Sequence, residues 1–290
     1  MAQFRKSHKI LSGRQERFFH TQDMRVRLIT AQKVRPEYIN YSMYETLCHG
    51  LADHGKIIVV DENPDIVHVF GLWNKHYADI ITEFVSHEIP VVFTSLDGLP
   101  ALIGKRCKMS ACAYYIRKIT QETIITQVCG TTEEGIVKSV SKKAQLRIIM
   151  NPSYTSLTSR EELLDSMEQL YENVANIHEK RIRSHIRSRV EALTHCDDTV
   201  KEICVQMLYL KYLLHRGCIP RGFIKELASI LTASDYNEDK LATTTRRLGI
   251  YKMASRAIQV MDNLGILTEG FMPMSPINDK QTRKMEQCIV

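Results

Sequence analysis

No stretch of this chain stays apolar for the roughly 18 residues a membrane-spanning helix needs. Its start, Met1-Ala-Gln-Phe-Arg-Lys-Ser-His-Lys9, is basic and lacks the apolar centre of a secretory signal. Both absences set the expectation of a cytoplasmic protein without a transmembrane segment. Cysteine pairs of the CxxC kind are missing as well. The eight cysteines (48, 107, 112, 129, 196, 204, 218 and 288) fit no zinc-ligand spacing, so reduced thiols and no metal are expected. Cys48, Cys129 and Cys204 sit among apolar residues and read as small core fillers. The glycine-rich dinucleotide and P-loop signatures, the GxSxG elbow and the HExxH helix do not occur. Their absence argues against the common nucleotide-dependent, serine-hydrolase and zinc-protease classes, and no cofactor is expected. There is no internal repeat and no low-complexity segment.

What remains is an ordinary globular composition: 44% hydrophobic and 25% charged residues over 290 positions. The formal net charge of +6 leaves an anionic partner open without requiring one. Part of it lies in residues 1–24, where Arg5, Lys6, Lys9, Arg14 and Arg17 face only Glu16 and Asp23. Such a short basic tail is expected to be disordered.

From Arg25 the text alternates strand-like and helix-like pieces. Strands are expected at Arg25–Ala31, Lys56–Asp61, Ile66–Phe70, Ile89–Ser95, Thr123–Cys129 and Leu146–Met150, with helix-length segments between most of them. That alternation predicts an α/β domain over 25–152, a Rossmann-like parallel sheet covered on both faces. After Asn151-Pro152 no strand pattern follows. Ser159-Arg-Glu-Glu162 reads as a capping box opening either one helix of about 30 residues or two in series, and Val200–Leu214 is apolar nearly all round. An all-helical region is therefore expected over 153–272, with 273–290 as a flexible tail.

Open parallel sheets bind ligands outside the carboxyl ends of their strands. Two such ends are marked by Gly71-Leu-Trp-Asn74 and Thr94-Ser-Leu-Asp-Gly98. Gly71 would let a ligand approach the backbone. Trp73, the single tryptophan, suits stacking on a sugar ring or anchoring the core, and Asn74 suits a helix cap beside the crevice. Asp97 reads either as a general base or as the turn former of an Asp-Gly pair. A third end, Cys129-Gly-Thr-Thr-Glu-Glu134, offers Gly130, Thr132 and Glu133, with Thr131 or Thr132 as N-cap. His68, within the third strand, reads as a core histidine.

The stretches Asp65–Trp73, Ile89–Leu99 and Ile124–Asn151, in that order and spacing, resemble the amino-terminal domain of family 4 glycosyltransferases. The resemblance covers about half the chain, joined here to a helical carboxyl-terminal half. It implies half of a GT-B fold and transfer of a sugar from a nucleotide sugar to a glycan or lipid-linked acceptor, as in polysaccharide biosynthesis. Gly71, Trp73, Asn74, Thr94, Gly98, Gly130, Thr132 and Glu133 would bind ligand, and Asp97 would be catalytic. Asp97 stands where the family has a histidine, and Gln32–Glu37 replaces its glycine-rich loop. The family's second Rossmann-like domain, which holds the donor, has no counterpart in the helical pattern after residue 152. A degenerate or partner-dependent enzyme is therefore the expectation.

A non-catalytic regulator or adaptor is the competing reading, with the helical half as its binding surface for a protein or nucleic acid. Residues 219–270 would expose Arg246, Arg247 and Lys252, which is loosely compatible with nucleic acid. Of the two partners, protein is the expected one and nucleic acid is not expected.

Overall fold

A computed structural model describes residues 24–30, 38, 40–54, 56–96, 106–154, 158–193, 197–267 and 271–290. Six strands form one all-parallel sheet: β1 (Met24–Ile29), β2 (Ile57–Val59), β3 (Ile66–Gly71), β4 (Val91–Ser95), β5 (Ile125–Val128) and β6 (Leu146–Ile148). Their spatial order is β2-β1-β3-β4-β5-β6. Each strand expected from the sequence is present, within a few residues at either end. β3 and β4 are buried at every position, which is why both read as continuous apolar runs rather than alternating ones.

The strand order reverses direction at β1, and that reversal decides which face each helix covers. Right-handed crossovers put helices on opposite faces when the chain moves in opposite directions across the sheet. Accordingly α1 (Tyr41–Gly50), between β1 and β2, packs Met43 and Leu47 on one face, with Ile66, Phe70, Val92 and Leu96. The helices of the outward run are α2 (Lys75–Ser86), α3 (Arg106–Glu122) and α4 (Thr131–Val140). They pack Tyr77, Ile81, Ile116, Ile119 and Val137 on the other face, with Val67, Val69, Val91 and Phe93.

One short helix cannot cover a six-stranded face. The remaining cover comes from α5 (Arg160–Leu193), whose Leu163, Leu164, Met167, Leu170, Tyr171 and Val174 enter the same core as α1. The expected capping box opens it. Ser159 Oγ accepts from Glu162 N at 3.1 Å, and Glu162 Oε2 accepts from Ser159 N at 2.7 Å. The chain accordingly divides into compact units at Lys180/Arg181, within α5.

The second unit, Arg181–Val290, is helical. Its helices are α6 (Asp198–His215), α7 (Arg221–Ala233), α8 (Glu238–Arg247), α9 (Tyr251–Asn263) and α10 (Lys280–Gln287). α6 is central, with Ile203, Cys204, Met207, Leu210 and Leu213 in the core. It stops at Gly217, whose φ of +71° is a left-handed conformation that side chains disfavour. The segment expected to be a flexible tail is instead built into this unit. Met274 and Met285 are buried, and Ile219 pairs with Ile289 in a short parallel bridge.

Candidate functional site

The reversal in strand order places a topological switch point between β1 and β3, whose carboxyl ends are Ile29 and Gly71. Gly71 pairs in register with Ser95 at the end of β4. Thr30 Oγ1, Trp73 Nε1 and Ser95 Oγ, at or just past the ends of β1, β3 and β4, are buried without any hydrogen-bond partner. An unsatisfied buried donor is costly, and native structures hold few of them.

All but two of the residues singled out in sequence have a definite place. Gly71 is glycine because of its neighbour: a Cβ there would meet Tyr77 Cδ1 at 2.5 Å. Trp73 is 4% exposed and lies on Phe93, with ring centroids 4.6 Å apart. It anchors the core at the strand end, and only its indole N–H is left to offer. Asn74 caps α2, its Oδ1 accepting from Tyr77 N at 3.2 Å. Asp97 and Gly98 lie outside the described residues. The helix after β5 begins one or two residues earlier than expected, so Gly130 is the N-cap and Thr131 and Thr132 are exposed in the first turn. Buried Glu133 reaches back instead, accepting from Cys129 N at 2.8 Å, which replaces a hydroxyl cap with a carboxylate at the positive helix end.

Thr94 belongs to a buried chain that crosses the sheet. His68 Nδ1 is 2.7 Å from Tyr171 Oη, and His68 Nε2 is 2.7 Å from Thr94 Oγ1. Thr94 Oγ1 donates to Gln127 Oε1, and Gln127 Nε2 donates to Ile149 O at 2.7 Å. The direction of every bond follows from its last member. A carbonyl only accepts, so the Gln127 amide nitrogen faces Ile149 and its oxygen faces Thr94. The Thr94 hydroxyl then spends its proton on Gln127 and must accept from His68, which fixes the Nε2–H tautomer. Nδ1 is left to accept from the Tyr171 hydroxyl. Burial lowers the His68 pKa from 6.5 to about 3 and pushes that of Tyr171 up. The chain is therefore neutral throughout.

A second polar cluster joins α1 to the ends of β4, β5 and β6. Asn40 Nδ2 donates to Ser95 O at 2.6 Å, Cys129 Sγ donates to Asn40 Oδ1 at 3.1 Å, and Asn151 Nδ2 donates to Ser42 Oγ at 3.1 Å. Burial, with Glu133 adding to it, raises the Cys129 thiol to about 12, so it is a hydrogen-bonding thiol and not a thiolate nucleophile. Sequence reading missed Asn40, Ser95, Gln127 and Tyr171. For Ser95 and Gln127 the available signal was a polar residue within an otherwise apolar strand, whereas Asn40 and Tyr171, before α1 and within α5, carried none. Among the described residues no group of His, Cys, Asp or Glu is arranged to hold a metal. None of the described cysteines forms a disulfide.

These features define an α/β protein with a Rossmann-like parallel sheet, a polar strand edge and a helical region following it. Among the described residues no helix is long and apolar enough to cross a membrane. Comparison with known proteins finds no matching family model, no matching curated protein and no matching solved structure.

Proposed function

We propose that the α/β unit binds a sugar-bearing ligand at the carboxyl edge of its sheet, in the manner of the acceptor-side domain of a glycosyltransferase of polysaccharide biosynthesis. One observation supports the reading: the three orphaned polar atoms of Thr30, Trp73 and Ser95 at the strand ends beside the switch point. A sugar hydroxyl both donates and accepts. It therefore suits a site that offers one indole N–H and two hydroxyls and little charge. In this reading Asp97 takes the proton of the acceptor hydroxyl, and the nucleotide sugar is presented by a partner protein. The reaction fits a cytoplasmic setting, where nucleotide sugars and reduced cysteines coexist.

Saturation-transfer NMR with UDP- and GDP-sugars and with neutral oligosaccharides tests it, comparing the wild type with Ser95→Ala. Sugar-ring protons should receive saturation from the wild type and lose most of it in the variant. Silence across the whole panel at about 1 mM ligand, a range that still detects weak binding, sinks the proposal.

A further inference from the structure

The helical unit carries a surface that the sugar reading leaves unused. Residues 181–290 contain 17 Lys and Arg against 12 Asp and Glu, whereas residues 22–180 contain 17 against 20. Positive charge is thus concentrated in the unit without the sheet. Within it, α8 and α9 are joined by only Leu248, Gly249 and Ile250. Gly249 has φ of +68°, which lets the chain turn this tightly while Leu248 and Ile250 stay buried. With α7 before them, three short amphipathic helices surround one core, and the last two form a helix–turn–helix pair.

The charges around that turn are segregated. Arg246 and Arg247 end α8 and Lys252 lies in the first turn of α9, all three exposed. The acids of α8, Glu238 and Asp239, occupy its opposite end, about 12 Å away at 1.5 Å per residue. Arg246 is held over the ring of Tyr251, its Cζ 4.3 Å from the centroid. Among the described residues Arg247 and Lys252 have no carboxylate partner. Further along α9 the polar positions are already engaged. Arg256 is bound by Asp279, and Asn263 by Glu286. In the first turn Lys252 is exposed, while Tyr251 and Met253 are half-buried against the helical core.

We propose that this turn docks duplex DNA, with the first turn of α9 directed into the major groove and Arg246, Arg247 and Lys252 on flanking phosphates. Helix–turn–helix pairs present the N-terminal residues of the second helix to base edges, and cations beside them fix its register on the backbone. An acidic protein surface would satisfy the charges but would not call for two helices joined by a three-residue turn with cations on both sides of it. The site is independent of the sugar reading and stands or falls separately from it.

The test uses the full chain and a fluorescein-labelled duplex of about 20 base pairs, read by anisotropy across salt concentrations. Wild-type affinity should fall steeply and log-linearly with salt. Arg247→Gln/Lys252→Gln breaks no internal bond, so it should fold normally by circular dichroism. It should bind about tenfold more weakly, with a salt slope smaller by about two. No wild-type binding at about 50 mM salt, or a double variant that binds as well as the wild type, overturns the proposal. So does binding to polyglutamate or anionic vesicles in place of the duplex.

Discussion

Gly71 lies directly beneath the ring of Tyr77, so close that a methyl group in its place would sit 2.5 Å from Cδ1 and 2.6 Å from Cγ. Tyr77 is itself only 3% exposed and cannot swing away. The glycine that closes β3 therefore sets the approach of α2 to the sheet. Gly71→Ala should destabilise the α/β unit by about 1–3 kcal/mol, the usual cost of overpacking. Trp73 is the single tryptophan and lies in this unit, so urea unfolding followed by its fluorescence measures the effect there. In a Tyr77→Leu background the same substitution should cost markedly less. Equal costs in both backgrounds would show that Tyr77 is not the constraint.

The chain from Tyr171 to Gln127 makes a pH prediction. Burial holds His68 at a pKa of about 3 against an ordinary 6.5. Between those values the unfolded chain binds a proton that the folded chain refuses. The neutral histidine's contribution is thus complete above pH 6.5 and is lost as pH falls toward about 3. Wild-type stability should decline over that window with a component that His68→Gln lacks. At neutral pH, Tyr171→Phe leaves buried Nδ1 without its donor and should cost about 1–3 kcal/mol. A Tyr171→Phe protein as stable as the wild type would contradict a stabilising bond between Tyr171 and His68.

Ser95→Ala makes the opposite case within the same edge. The Ser95 hydroxyl is buried and bonded to nothing, so its removal loses no internal interaction. Stability should be unchanged or rise by up to about 1 kcal/mol, as expected when an unsatisfied polar group is deleted. Chemical unfolding followed at Trp73 measures it. A loss of stability would mean that the hydroxyl has a structural partner and is not reserved for a ligand.

Legibility in the sequence followed burial and length. β3 and β4 are buried on both faces and so appear as unbroken apolar runs, while the edge strands β2 and β6 are shorter than their sequence patterns suggested. The double duty of α5 was hidden, because a helix pattern does not say which core its first turns enter. The Tyr171–His68 bond was hidden more deeply: 103 residues separate the partners, and no local spacing reports such a contact. Glu133 shows a different limit. The Thr-Thr-Glu-Glu text names several possible caps, and backbone geometry alone selected Gly130 with Glu133 reaching back.

α10 gives little sequence signal because it is eight residues long and mostly polar, with only Thr282 and Met285 buried. What holds it is polar and specific. Asp279 binds the Arg256 guanidinium at 2.7 to 3.1 Å while its Oδ1 caps α10 by accepting from Gln281 N and Thr282 N. Beyond the helix, Ile219 N donates to Cys288 O at 2.7 Å and Val290 N to Ile219 O at 3.1 Å, tying the segment to the start of α7. Asp279→Ala removes both the ion pair and the cap, whereas Asp279→Asn keeps a capping oxygen. Hydrogen exchange across residues 280–290 should accelerate strongly in the alanine variant and less in the asparagine variant, and Ile219 should lose protection with them. The Arg256 hydrogen bond, foremost, lowers the Asp279 pKa from 3.8 to about 2. The stability advantage over Asp279→Asn should therefore persist above pH 3.8 and fade as pH falls toward about 2. Unchanged protection of Ile219 in the alanine variant would show that the terminal pairing, and not the ion pair, holds α10 in place.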